Sequence, residues 1–385
     1  MLTKKRKTHL RYLAEESERP LTPYELAQRR PIFGTGEPPP EMAELANRQR
    51  IHVFADGARP EPTVHRVDGH GDRLWRVDVP VGPEGQVALP GSTALRSEPA
   101  ELLSEIDPHM GVGSWRPEWN DLFYVPRVLP SRRQEPVRRM HGGRVRLDGV
   151  HGLEGVFDPD DRSELNETSF PWGNVGKIIN SEAQHGSGVL IGDRLVLTAG
   201  HAVPWADAAA GNWWMRFVPA YYNGQSLHGA GVESYVSDVR GYHPSGPNGD
   251  TVGYDWAICR LYEPLGSQLG YFGAKTYTSA WNGQPWWINM GYPINMWFRG
   301  ASFQGGIPVI EADDDINGGL EIEHQGDCTP GNSGGPMFAF FGDQDPRVIA
   351  VQYGYQAEDE GGPVNIAAGG AGMVTLILWG RSNWP

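Results

Sequence analysis

The hexapeptide Gly331-Asn332-Ser333-Gly334-Gly335-Pro336 places a serine among glycines and ahead of an apolar run. Such a backbone turns tightly enough to expose the serine hydroxyl. It can also aim neighbouring N–H groups at the point where a carbonyl oxygen becomes negative during acyl transfer. Ser333 is therefore the candidate nucleophile, and the backbone N–H groups of Gly331 and Ser333 are the candidate oxyanion donors. A serine nucleophile needs a base held at a fixed place. Leu197-Thr198-Ala199-Gly200-His201-Ala202 sets a histidine directly after an apolar strand, where a rigid element can hold it. His185, His243 and His324 follow no comparable run and read as surface or structural residues. The third requirement is a protected carboxylate to orient the imidazole. Asp255 opens the apolar stretch Asp255-Trp256-Ala257-Ile258-Cys259-Arg260-Leu261, whereas Asp238 and Asp250 lie in polar or glycine-rich loops.

Ser333 also satisfies the G-x-S-x-G pattern of the α/β-hydrolase nucleophile elbow. In that architecture the histidine follows the serine. The last histidine here is His324, so chain order excludes it.

The elements that must position these residues read as β-structure. Among 385 residues there are 51 glycines and 32 prolines, with 21% charged residues, which suits a turn-rich, all-β fold. Two β-rich runs, 188–191 and 194–198, flank the dipeptide Gly192-Asp193 and predict a hairpin ending just before His201. Residues 1–150 form a mixed leader or accessory region, separate from 155–385. Helices are expected at 23–30, starting from Thr22, and at 41–50, with a strand at 74–81. Seven arginines between 127 and 146 mark either a solvated basic loop or a processing site.

Charge separates the two halves. Residues 1–150 hold 23 Lys+Arg against 21 Asp+Glu and the remainder 10 against 26, so the net charge of −14 divides as +2 and −16. The acidic second half argues against a nucleic-acid partner. No apolar stretch approaches the roughly 18 residues of a membrane helix, which argues against a membrane partner. The basic start, Met1 to Leu13, runs into Ala14-Glu15-Glu16 without a signal-peptide core. Two cysteines, Cys259 and Cys328, provide no disulfide framework. Asp313-Asp314-Asp315 lacks a spaced ligand pattern and reads as a solvated loop, so no metal and no cofactor are expected. The 14 tryptophans read as core or rim packing rather than a carbohydrate surface.

At Thr198–His201, residues 255–258 and residues 331–336 the sequence resembles the trypsin/chymotrypsin-like serine peptidases: T-A-G-H, D-W-A-I and G-N-S-G-G-P, in that order. Val156-Phe157-Asp158-Pro159-Asp160-Asp161-Arg162, Phe170-Pro171-Trp172 and Gly291-Tyr292-Pro293 are similar to the glutamyl-endopeptidase branch of bacteria and fungi. The resemblance covers residues 155–380. It implies two six-stranded antiparallel β-barrels, the chymotrypsin-like fold, with a triad of His201, Asp255 and Ser333 in the cleft between them. It also implies a protein or peptide substrate, secretion, and a leader able to act as an inhibitor until cleavage between Arg139 and Gly155. The sequon Asn166-Glu167-Thr168 would be exposed by export. Two positions bear on the substrate pocket. Gln352 stands where glutamate-selective members have a histidine, which argues against glutamate preference. Asp327 lies six residues before Ser333, the offset of the carboxylate that pairs with Arg or Lys in trypsin-like enzymes. A catalytically silent protease fold used for binding is the alternative, and retention of all three triad residues argues against it.

Overall fold

Six strands close on themselves between residues 175 and 261. They are β1 (Val175–Asn180), β2 (His185–Gly192), β3 (Leu195–Thr198), β4 (Met215–Pro219), β5 (Ser234–Gly241) and β6 (Ala257–Leu261). They pair in the order β4-β1-β2-β3-β6-β5, and β5 pairs back to β4. This computed structural model describes residues 19–48, the strand backbones at 50–56, 63–66, 74–80 and 96–97, and residues 111–128. It further describes 155–384 apart from 158, 183, 210–212, 242–251, 295–298, 316–317 and 357–362.

The barrel strands are apolar on both faces, and the packing explains why. Leu190, Val196, Ala257 and Cys259 point into one buried cluster inside the barrel. Their strand neighbours Val189, Ile191, Leu195, Leu197 and Ile258 enter a second cluster, shared with the rest of the chain. Successive side chains face opposite sides of a strand, so a strand buried on both sides reads as a continuous apolar run.

The second sheet contains β7 (Gly273–Lys275), β8 (Trp287–Gly291), β9 (Ala301–Ile307), β10 (Val309–Asp314), β11 (Leu320–His324), β12 (Pro336–Phe340), β13 (Pro346–Gln356) and β14 (Val364–Gly369). Its order is β10-β11-β14-β13-β12-β8-β9, continued by Ser163–Leu165 on the edge of β9. Among the described residues no pairing closes this sheet. The expected pair of six-stranded barrels is thus seen as one closed barrel beside a ten-stranded sheet.

Local expectations were close, with shifts at the ends, except that Asp238 and the pair Asp313-Asp314, read as loop residues, lie on β5 and β10 because these stretches pair with neighbouring strands. The β2–β3 turn is Asp193-Arg194 rather than Gly192-Asp193, because a register shift between Leu190 and Gly192 carries β2 one residue further. Helix α1 (Pro23–Gln28) starts at Thr22, whose hydroxyl accepts from the Glu25 N–H at 3.1 Å while the Glu25 carboxylate accepts from the Thr22 N–H at 2.8 Å. It stops short of 30 because Arg30 precedes Pro31, where helical backbone is disfavoured. Helix α2 (Pro40–Asn47) gives way to the strand Arg50–Asp56, so it too ends early. The strand expected at 74–81 is Leu74–Pro80. The sequence reading missed α3 (Ala371–Asn383), a helix that buries Met373, Val374, Leu376 and Ile377 in the shared core. Of the arginine-rich stretch only Arg127 and Val128 lie within the described residues, and Arg127 pairs with buried Glu167 at 2.7 Å. The stretch proposed for maturation, together with His243 and Asp250, lies outside them.

Candidate active site

The ladder between β3 and β6 determines where His201 and Asp255 meet. Thr198 faces Ala257 across an antiparallel pair. His201 stands three residues beyond Thr198 and Asp255 two residues before Ala257, so both leave the ladder at the same end. Short 3-10 turns, Gly200–Ala202 and Val252–Tyr254, then direct the side chains. The His201 backbone N–H donates to Asp255 Oδ1 at 2.8 Å, and Nδ1 lies 2.5 Å from Oδ2. Asp255 is wholly buried, whereas the imidazole is 32% exposed. With Nδ1–H donating to the carboxylate, the proton-accepting lone pair is on Nε2. The Tyr353 ring stands edge-on to the imidazole, centroids 5.8 Å apart. Burial and then the Asp255 charge push its phenol up to about 12, so it remains neutral at working pH.

Ser333 is half-buried in a turn leading into β12. The Asn332 N–H donates to the Thr329 carbonyl at 3.0 Å and the Gly335 N–H to the Asn332 carbonyl at 2.7 Å. Gly334 and Gln352 link the turn to β13, Gly334 donating to the Gln352 carbonyl and Gln352 to the Gly335 carbonyl, both at 2.8 Å. Gly334 has φ +80°, and a Cβ there would lie 2.3 Å from both the Ser187 carbonyl oxygen and Thr198 Oγ1. Only glycine lets the serine turn sit directly on the end of β3 that carries His201. Gly331 has φ +101°, and a Cβ there would lie 2.5 Å from the Tyr292 carbonyl oxygen. The Ile294 N–H donates to the Pro330 carbonyl at 2.8 Å. That bond fixes the plane of the Pro330–Gly331 peptide, and a trans peptide then holds the Gly331 N–H on the opposite side.

Sequence reasoning missed Ser187, which lies on β2 and is fully buried. Its hydroxyl donates to the Gly331 carbonyl at 2.7 Å and accepts from the Tyr292 N–H at 2.7 Å. Its N–H donates to the Ser333 carbonyl at 2.8 Å, and its own carbonyl accepts from Thr198 Oγ1 at 2.7 Å. One residue thus connects the histidine strand, the serine turn and the loop after β8. The only sequence signal was the pair of flanking glycines, Gly186 and Gly188, which local reading cannot tell from any other strand start.

The two pocket positions face inward. Asp327 is 2% exposed, and its carboxylate accepts from the N–H groups of Phe157 (2.7 Å) and Asp161 (2.8 Å) and from the Gln304 amide (3.2 Å). Arg162 completes this clamp, binding Asp160 at 2.8 Å and Thr329 Oγ1 at 2.8 Å. The carboxylate that its spacing offered to a substrate cation thus accepts hydrogen bonds from Phe157, Asp161 and Gln304 of the chain itself. Gln352 is fully buried. Its Oε1 accepts from Asn289 and from His324 Nε2, both at 3.0 Å, and its amide donates to the carbonyls of Ile366 (3.0 Å) and Gly354 (3.3 Å). His185, at the exposed start of β2, and buried His324 match their reading as surface and structural residues. Cys259 and Cys328 are both buried, and neither is in a disulfide. Among the described residues no group of three His, Cys, Asp or Glu side chains is placed to hold a metal ion.

The family model for the trypsin-like peptidase domain matches residues 186–351. The glutamyl endopeptidase of Bacillus licheniformis is 30% identical over 190 residues, 49% of this chain and 56% of that protein. The chain therefore spans a little over half the length of that curated relative. Two solved structures overlap it. A Glu endopeptidase in complex with MPD covers 59% of this chain and 100% of its own, at 20% identity and a TM-score of 0.46. The protease Anisep from Arthrobacter nicotinovorans covers 53% and 92%, at 22% identity and a TM-score of 0.38. Over residues 186–351 this chain is thus similar to the trypsin-like peptidase domain.

Proposed function

We propose that the chain is a serine endopeptidase that cuts peptide bonds through an acyl-enzyme on Ser333. His201 Nε2 takes the hydroxyl proton as Ser333 Oγ bonds to the peptide carbonyl carbon. Asp255 holds the imidazole by Nδ1 and stabilises the imidazolium. The N–H groups of Gly331 and Ser333 receive the oxyanion. The imidazolium then protonates the leaving amine, and water repeats the sequence to release the acid and restore Ser333. The observation that carries this reading is the His201–Asp255 hydrogen-bonded pair at the very strand end onto which Gly334 seats the serine turn.

Asp327 is already engaged and Gln352 is neutral, so neither position offers an ion pair to a charged residue at the cleaved bond. The test is a fluorophosphonate probe with peptide mapping of the adduct, beside turnover of a peptide library. Ser333→Ala should lose both labelling and turnover while keeping the native melting transition. Asp255→Asn should lower kcat by about 10⁴, because the wrong imidazole tautomer is then favoured. Turnover by folded Ser333→Ala at the parent rate would end the proposal.

A further inference from the structure

The amino-terminal region enters the trypsin-like body at several points. Leu21 donates its N–H to the Phe340 carbonyl at 2.7 Å, and Pro20 bridges Phe341. Gly111–Val112 adds a strand to β7, and Trp115 pairs with Tyr271 through hydrogen bonds of 2.9 and 2.8 Å. Leu122 bridges both Ile32 and Phe170. Helix α2 rests on the loop at Gly229 and Gly231, and Arg48 pairs with Glu263 at 2.5 Å.

These contacts form core. Val112 and Leu122 are 0% exposed and Leu45 is 1% exposed, and the clusters they enter are those of the barrel and its neighbouring sheet. Arg381, at the end of α3, donates to the carbonyls of Ile191, Gly113 and Phe272, so an amino-terminal carbonyl helps satisfy a cation of the carboxy-terminal helix. Removing these segments would bare apolar side chains and take a partner from that guanidinium.

The attachment points lie away from the triad. Ser333 precedes the first residue of β12, whereas Leu21 joins Phe340 at its last, about 13 Å along the strand at 3.3 Å per residue. Asp255 precedes β6, whereas Arg48 joins Glu263 beyond its far end. β7 meets β13 at Arg347 and Val348, near its start, while Gln352 further along holds the serine turn.

We infer that residues 19–48 and 111–128 are a permanent arm of the folded protein. A cut between 129 and 154 would leave two chains held together by this interface, not a released inhibitor. The inference stands on packing and holds whether or not Ser333 is catalytic. The test places a recognition site for a sequence-specific protease between 129 and 154 of the full chain and confirms the parent melting transition before cutting. After the cut, both pieces should elute together with no shift from the uncut 42.4 kDa chain, separate only in denaturant, and show an unchanged rate of fluorophosphonate labelling. An amino-terminal piece that elutes alone in native buffer overturns the inference, as does a labelling rate that rises on cutting. Co-elution with no labelling before or after the cut upholds the arm and counts against the peptidase reading alone.

Discussion

Replacing Ser187 by alanine removes one buried oxygen and leaves two backbone groups short of a partner, the Gly331 carbonyl and the Tyr292 N–H. A buried group left unsatisfied costs about 1–3 kcal/mol, so the fold should lose roughly 2–6 kcal/mol. At about 2–4 °C per kcal/mol for a domain of this size, the melting midpoint should fall by roughly 4–24 °C. Catalysis should fall further than stability explains, because the Gly331 carbonyl anchors the turn that bears the proposed oxyanion donors. Losing one such donor outright costs about 10²–10³ in kcat, which sets the ceiling; a loosened donor should cost about 10–100-fold, with KM nearly unchanged. The assay pairs a thermal melt with steady-state turnover of a peptide amide, and compares the affinity of a peptide boronate with that of the matching product peptide. The tetrahedral boronate uses the oxyanion site and should weaken, whereas the product should not. A lower melting point with unchanged kcat and boronate affinity would refute the positioning role. No change in either would refute the hydrogen bonds themselves.

Two further outcomes follow from the buried groups. His324 accepts from the Gly326 N–H at Nδ1 and faces Gln352 with Nε2, and burial lowers its pKa from 6.5 to about 4. Between these values the unfolded chain binds the extra proton. The stability is therefore fully present above pH 6.5 and lost as pH falls towards 4, by about 3 kcal/mol at 1.36 kcal/mol per pKa unit. Melting points measured across this window should drop less steeply in His324→Gln; parallel slopes would exclude His324 as the cause. Cys259 and Cys328 are both 0% exposed, and burial pushes the Cys259 thiol up. A thiol-reactive dye should therefore label neither in native buffer and both in denaturant. Rapid labelling of either in the folded chain would mean that its core opens.

The candidate site residues were legible as patterns because each motif is local. A glycine-flanked serine, a histidine ending an apolar run and an aspartate opening one are patterns that a few neighbouring residues create, and their order along the chain removes a competing architecture. Composition conveyed the all-β class in the same way. Ser187 was not legible, since its part comes from four hydrogen bonds to residues scattered between 198 and 333. The surroundings of Asp327 were not legible for the same reason. Its offset from Ser333 is compatible with a substrate carboxylate, and only the fold reveals that Phe157, Asp161 and Gln304 donate to it.

Sequence by itself thus determined which side chains could act, the strand-rich texture around them and the contrast in charge between the two halves. Tertiary structure alone decided that the amino-terminal segments are core, that the second sheet is not closed among the described residues, and that both pocket positions face inward. The physical reason is the range of the interactions involved. Backbone turns and strand propensity act over a few residues, whereas burial and hydrogen-bond satisfaction depend on partners that only the packed chain brings together.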